Sequence, residues 1–205
     1  MTIDKLKSLP KGETPQEYQL PAPCSLNNIN IMDAFKRRKS DRKFSSDSIS
    51  IQHLANILWC AVGVNRPEHG MLVNPTTVNL KEVSVYVFLS DGVMLYNAQA
   101  HSLKVVSNED HRHLVASGQA FAQTAPVSLV LVVDFSLMGE NKNTWRDYGC
   151  ADAGIVSQNI NLYCAAENLA TVTRGTMDHK AISKLLNLKD GQEPVLNNPI
   201  GLKVK

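Results

Sequence analysis

Apolar positions along this chain change period several times. Between residues 51 and 61, Ile51, Leu54, Leu58 and Ala61 recur at helical spacing, which predicts a helix with one apolar face. Ser50 stands just before that run and Gly63 just after it, as helix start and stop signals do. Asn30 is placed in the same way ahead of Ile31, Met32 and Phe35, predicting a short helix with those three residues facing inward. VSVYVFL (83–89) and VMLYN (93–97) flank the turn-forming Asp91-Gly92 and predict a hairpin. PVSLVLVVDF (126–135) is almost continuously apolar, the pattern of a strand buried on both faces.

Other stretches complete the pattern. Residues 108–121 read as helical. Residues 150–169 predict a long helix with Ile155, Leu162, Ala166 and Leu169 as its inner stripe. LATVTRG (169–175) is a short strand ending in a turn, 178–187 a helix capped by Asp178, and PVLNNPIGLKVK (194–205) a closing strand and tail. Residues 64–80 form a loop punctuated by Pro67, Gly70 and Pro75. Helices alternate with a few strands, and one strand pair is a hairpin. The fold class is therefore α+β, with a central mixed, largely antiparallel sheet flanked by helices. Residues 1–29 are polar and proline-dotted and read as an extended N-terminal arm. Residues 30–205 form one domain large enough for a full core.

Composition narrows the function. Hydrophobic residues make up 43% and charged residues 20%, the balance of a soluble globular chain. The segment KRRKSDRKF (36–44) is strongly basic, yet the formal net charge is only +2. A local excess in a nearly neutral chain favours a small anion over nucleic acid. No run is long enough to span a membrane, and the first 23 residues lack the apolar core of a secretory signal, so the expected location is the cytoplasm. The four cysteines form no C-x-x-C pair, and Cys60 and Cys164 read as buried thiols. No H-E-x-x-H, G-x-S-x-G or G-x-G-x-x-G is present, and His111 and His113 are spaced wrongly for a helical metal pair. No catalytic side chain and no metal site are expected.

Three stretches can carry chemistry. Arg38, Ser40 and Arg42 alternate, so in an extended segment they share one side and can hold a phosphate by charge-assisted hydrogen bonds. Charge alone favours a solvated helix end. NPTTVNL (74–80) is a loop ahead of a strand and also reads as an ordinary turn. In TVTRGTMD (171–178), Gly175 lets the backbone approach a flat ligand, although the stretch also reads as a strand-to-helix turn. A chain without a nucleophile or metal cluster, but with a phosphate cup and a ring-facing turn, points to a borrowed cofactor.

The order of these motifs resembles the nitroreductase family of FMN-dependent oxidoreductases. RKSDRKF (38–44) is similar to that family's R-R-S-x-R-x-F start, and PTTVN (75–79) stands where the family has P-S-S-x-N. ADAGIVSQNINLYCAAENLAT (151–171) is similar to its long central helix, and NNPIGLKVK (197–205) to its closing segment. The departures are threonines for the loop serines, Lys81 for a glutamine, and Gly-Leu-Lys for the closing Gly-Tyr-Pro. The resemblance implies an intertwined homodimer with FMN at its interface. Arg38, Lys39, Ser40 and Arg42 would hold the FMN phosphate and ribityl chain, with Lys203 or Lys205 reaching the same phosphate. Thr76, Thr77 and Asn79 would line the flavin from the partner subunit. Arg174 and Gly175 would turn backbone N–H groups to the ring, and Arg174 would favour an anionic acceptor. The implied activity passes electrons from NAD(P)H through flavin N5 to a nitroaromatic, quinone or enone by a ping-pong mechanism. The alternatives are a flavin-binding or storage module without turnover, and nucleic-acid binding through residues 36–43, which would weaken steeply with salt.

Overall fold

The computed structural model describes residues 17–27, 29–139 and 142–204. Its centre is a sheet of seven strands: β1 (Glu17–Gln19), β4 (Val83–Leu89), β5 (Gly92–Asn97), β6 (Ser102–Ser107), β7 (Val127–Asp134), β8 (Leu169–Thr171) and β9 (Gln192–Leu202). They lie in the order β1-β6-β5-β4-β7-β9-β8. A small separate hairpin, β2 (Val64–Arg66) with β3 (Met71–Leu72), interrupts the loop expected over 64–80. Every strand pairing among the described residues is antiparallel, so the sheet expected to be mixed is antiparallel throughout. The α+β class itself holds. At the hairpin turn Gly92 has φ +150°, and a Cβ there would lie 2.2 Å from the carbonyl oxygen of Ser107, so glycine is required.

Strand β7 explains the layering. Val127, Leu129, Leu131 and Val133 point to one face and Val130 and Val132 to the other, and all are buried. Helices α2 (Ile51–Val62) and α5 (Lys142–Ala166) cover the first face, through Leu54, Leu58, Val156 and Ile160 among others. Helices α3 (Arg112–Ala116) and α6 (His179–Leu185) cover the second, through Val115 and Ile182. Ser50 caps α2 by accepting the His53 N–H, and Asp178 caps α6 by accepting the Ala181 N–H, both as expected.

Four expectations need correction. The helix of 108–121 is two short ones, α3 and α4 (Ala120–Gln123), because Ser117 (φ 46°) and Gly118 (φ 80°) adopt left-handed backbone between them. Helix α5 begins at Lys142, and its buried stripe is Ala153, Val156, Ile160 and Cys164 rather than Ile155, Leu162 and Ala166. The period was legible but the phase was not, because Asp152, Ser157 and Asn161 are buried polar residues on the same side. Helix α1 (Ile31–Arg37) is capped by Asn30 as expected, yet Ile31, Met32 and Phe35 are 60%, 60% and 51% exposed and Ala34 is its buried residue. Residues 17–21 of the expected arm join the core domain: β1 pairs with β6, Leu20 is buried, and Pro21 O meets His101 Nε2 at 2.9 Å. Residues 1–16 lie outside the described residues.

Candidate functional site

The basic segment starts where α1 ends. Asn30 Oδ1 accepts the Asp33 N–H, and the last turn carries Lys36 and Arg37, cations suited to a helix C-terminus. Beyond Arg38 the chain runs along the end of the sheet. Asp41 N donates to Thr171 O, and Ser45 N donates to Leu202 O, both at 2.9 Å. Phe44, buried, forms a bridge with Lys203. These bonds fix residues 38–45 against β8 and β9.

Alternation then divides the side chains. Lys39 pairs with Asp41 at 3.5 Å and, with Arg37 and Lys203, borders a crevice against α5 and Thr171. Arg42 lies on the other side, 6.0 Å over the ring of Phe121. Lys39 is thus turned away from Arg42, with which it was expected to act. Arg38 and Ser40 are exposed, and neither Arg38 nor Arg42 has a carboxylate partner among the described residues. Lys203 Nζ donates to Asn168 Oδ1 at 2.9 Å, and Lys205 lies outside the described residues.

Arg174 is buried, not poised for an acceptor. Its guanidinium donates to Gln119 Oε1, Val115 O, Ala116 O and Asn197 Oδ1, at 2.8–3.1 Å, and lies 5.4 Å over Phe121. Its backbone N–H donates to Asn197 O, so it is not available to a ligand, contrary to expectation. Gly175 differs. It is exposed, and a Cβ built on it would meet nothing within 4 Å. The turn therefore presents open backbone at one residue.

On the loop, Thr77 donates from both N and Oγ1 to Asp152 Oδ2 of α5, each at 2.7 Å. Thr76 Oγ1 accepts the Lys81 N–H at 3.2 Å. Both threonine hydroxyls thus hold the loop itself, while Val78 and Asn79 are exposed. Val78, Asn79 and Lys81 have φ of 42°, 60° and 58°, left-handed values that cost non-glycine residues energy.

Electrostatics favour an anion beside Arg42. All partners of the buried Arg174 are neutral, and burial, followed by the Arg42 charge, lowers its hold on its own proton. An anion would offset that repulsion. Two exposed guanidiniums without carboxylate partners among the described residues, a third over Phe121, and open backbone at Gly175 fit one phosphate and a flat group. The thiols are poor candidates for chemistry. Burial pushes Cys60 up to about 11 and also raises Cys164, so both stay protonated. No cluster of metal-ligating side chains occurs among the described residues, and none of their helices is long and apolar enough to cross a membrane.

Sequence reasoning missed Asp152, Glu82, Gln119 and Phe121. Burial and Asp152 raise the Glu82 carboxyl to about 7. The readable signal was Asp152, a charge interrupting the apolar phase of α5.

Comparison with known proteins bears on the family and the fold. A family model described as the nitroreductase family matches residues 35–202. A nitroreductase-family protein of Methanocaldococcus jannaschii is 28% identical over 210 residues, spanning 95% of this chain and 100% of its own. A crystal structure of a nitroreductase-family protein from Ralstonia eutropha superimposes with a TM-score of 0.85 at 30% identity, covering 96% of this chain and 94% of that one. The NADPH:FMN oxidoreductase of Vibrio harveyi, crystallised with NAD+, shares the fold with a TM-score of 0.65 at 18% identity, over 86% of this chain and 70% of that one. The order of motifs, the antiparallel sheet and the family match together place this chain in the nitroreductase family.

Proposed function

We propose that the protein is an FMN-dependent NAD(P)H oxidoreductase acting as a homodimer. Membership of the nitroreductase family supports flavin-dependent oxidoreduction in general, and the Vibrio harveyi relative supports FMN and a nicotinamide reductant. One observation carries the FMN assignment: Arg38 and Arg42 stand exposed without carboxylate partners among the described residues, and Arg42 shares the Phe121 ring with the buried Arg174. Arg38, Ser40 and Arg42 bind the phosphate, and Arg174 fixes Phe121 behind them. Lys39 and Lys203 act from the neighbouring crevice. Gly175 offers its N–H and room for a ring at close range. Thr76, Thr77 and Asn79 shape the wall that the partner subunit contributes.

Held by Arg38, Ser40 and Arg42, FMN would supply the redox chemistry, hydride transfer from NAD(P)H at N5 and ping-pong delivery of electrons to a nitroaromatic, quinone or enone. This chain's residues bind and orient, and none is needed as acid or base. The donor at Gly175 stabilises negative charge close to the ring. The dimer is supported by Ile31, Met32 and Phe35 on α1 and Ile155 on α5, apolar residues left exposed on two helices that pack together.

Arg38→Ala with Arg42→Ala should abolish FMN retention through purification; full retention would remove the site assignment. Anaerobic NADH or NADPH should bleach the bound flavin of the wild type. No bleaching with either would favour a binding module without turnover.

A further inference from the structure

Glu82 immediately precedes β4 and is buried at 1% exposure. Neither of its carboxyl oxygens meets a hydrogen-bond donor from the described residues. It faces Asp152 of α5, also buried, closely enough for a side-chain hydrogen bond. Asp152 in turn accepts both bonds from Thr77. Two buried carboxylates in contact, with donors for only one, repel each other and lack solvation. One proton on Glu82 resolves both problems, since its O–H can then donate to Asp152.

The surroundings leave the pair on its own. Asp134 of β7 donates its backbone N–H to Glu82 O but turns its carboxyl to Ser136 and Gln192. Lys81 is exposed, and no cation pairs with Glu82 or Asp152 among the described residues. What the pair holds is the loop 76–81, with its three left-handed non-glycine residues. A strained loop keeps its shape only if its anchors over-determine it. Thr77 to Asp152 is the anchor to the rest of the fold, while Lys81 N to Thr76 closes the loop on itself.

We propose that Glu82 and Asp152 are a positioning pair, in which one shared proton keeps the Asp152 carboxylate aimed at Thr77 and thereby holds residues 76–79 in the shape that binds FMN. This rests on the FMN reading above. Ionisation of Glu82 sets two like charges together, loosens Asp152 from Thr77 and weakens the cofactor wall.

The test titrates apo protein with FMN, read by quenching of flavin fluorescence, at about pH 6 and about pH 8.5, on either side of the Glu82 transition. Wild type is compared with Glu82→Gln, which mimics the protonated acid. The comparison cancels the titration of the FMN phosphate itself. Wild-type affinity relative to the variant should fall about fivefold or more between the two pH values. Thr77→Val should weaken FMN binding at both. Parallel pH curves for wild type and Glu82→Gln, with both proteins binding FMN, would overturn the pair's role. Neither protein binding FMN at either pH would overturn the flavin reading itself, and the proposal with it. A readout without flavin is carboxyl-carbon NMR of the apo protein. One glutamate should titrate near neutrality and be missing in Glu82→Gln; a spectrum in which every glutamate titrates in the ordinary acid range would refute the shared proton.

Discussion

Two guanidiniums lie over the Phe121 ring, Arg42 at 6.0 Å and Arg174 at 5.4 Å, and the two do different work. Arg42 is exposed and has no carboxylate partner among the described residues, while Arg174 closes four hydrogen bonds inside the fold. Removing them should therefore give opposite signatures. Arg42→Ala should leave thermal stability nearly unchanged and weaken FMN binding. Arg174→Ala takes the donor from the Val115 carbonyl and from Asn197 Oδ1 and should cost about 3 kcal/mol of folding stability, measured by urea denaturation. A small loss for Arg174→Ala would mean that its bonds are exchanged readily for water. Gly175→Ala separates space from folding. Its Cβ would meet nothing within 4 Å among the described residues, so stability should move by no more than about 0.5 kcal/mol. FMN affinity should fall nonetheless, because the added methyl occupies the room assigned to the ring. Unchanged affinity would move the ring elsewhere.

Among the elements, α1 shows how far a sequence can be read. Its start was legible, because Asn30 must cap whatever follows, and the structure places the Asn30 side chain on the Asp33 N–H. Its inner face was not, because apolar periodicity marks a face that needs covering without saying by what. Ile31, Met32 and Phe35 were read as core and are solvent-facing in the single chain. Helix α5 gives the same lesson in reverse: its helical period was plain, but the buried Asp152, Ser157 and Asn161 shifted the phase. Those polar residues are held by long-range partners, Thr77, Thr173 and Asn198, which lie far along the chain. The basic segment was readable as a local excess of charge. Its division into an Arg42 side and a Lys39 side required the backbone bonds to Thr171 and Leu202. If α1 is a dimer face, Met32→Ser with Phe35→Ser should shift the protein from dimer to monomer in sedimentation without unfolding it. An unchanged dimer would place the interface on other surfaces.

Across the whole molecule, the Glu82 carboxyl links stability to pH. Its folded value of about 7 lies above its ordinary value of 4.5, so the folded protein holds a proton that the unfolded chain releases. That contribution is complete below the unfolded value and is lost as pH rises through about 7. Each pKa unit corresponds to roughly 1.4 kcal/mol, so this group alone can remove about 3 kcal/mol at most between acid and mildly alkaline conditions. Glu82→Gln should remove that slope, gaining on the wild type as pH rises in denaturation series. Equal slopes would show that Glu82 is ionised throughout.

The central claim is that Arg38 and Arg42 hold the phosphate of FMN. The most direct measurement is the visible absorption spectrum of the purified protein, recorded as isolated and after incubation with FMN and removal of excess. We expect a flavin spectrum that survives the removal and is lost with Arg38→Ala and Arg42→Ala. A colourless protein that takes up no FMN would contradict the account and return residues 36–43 to the role of a solvated basic face.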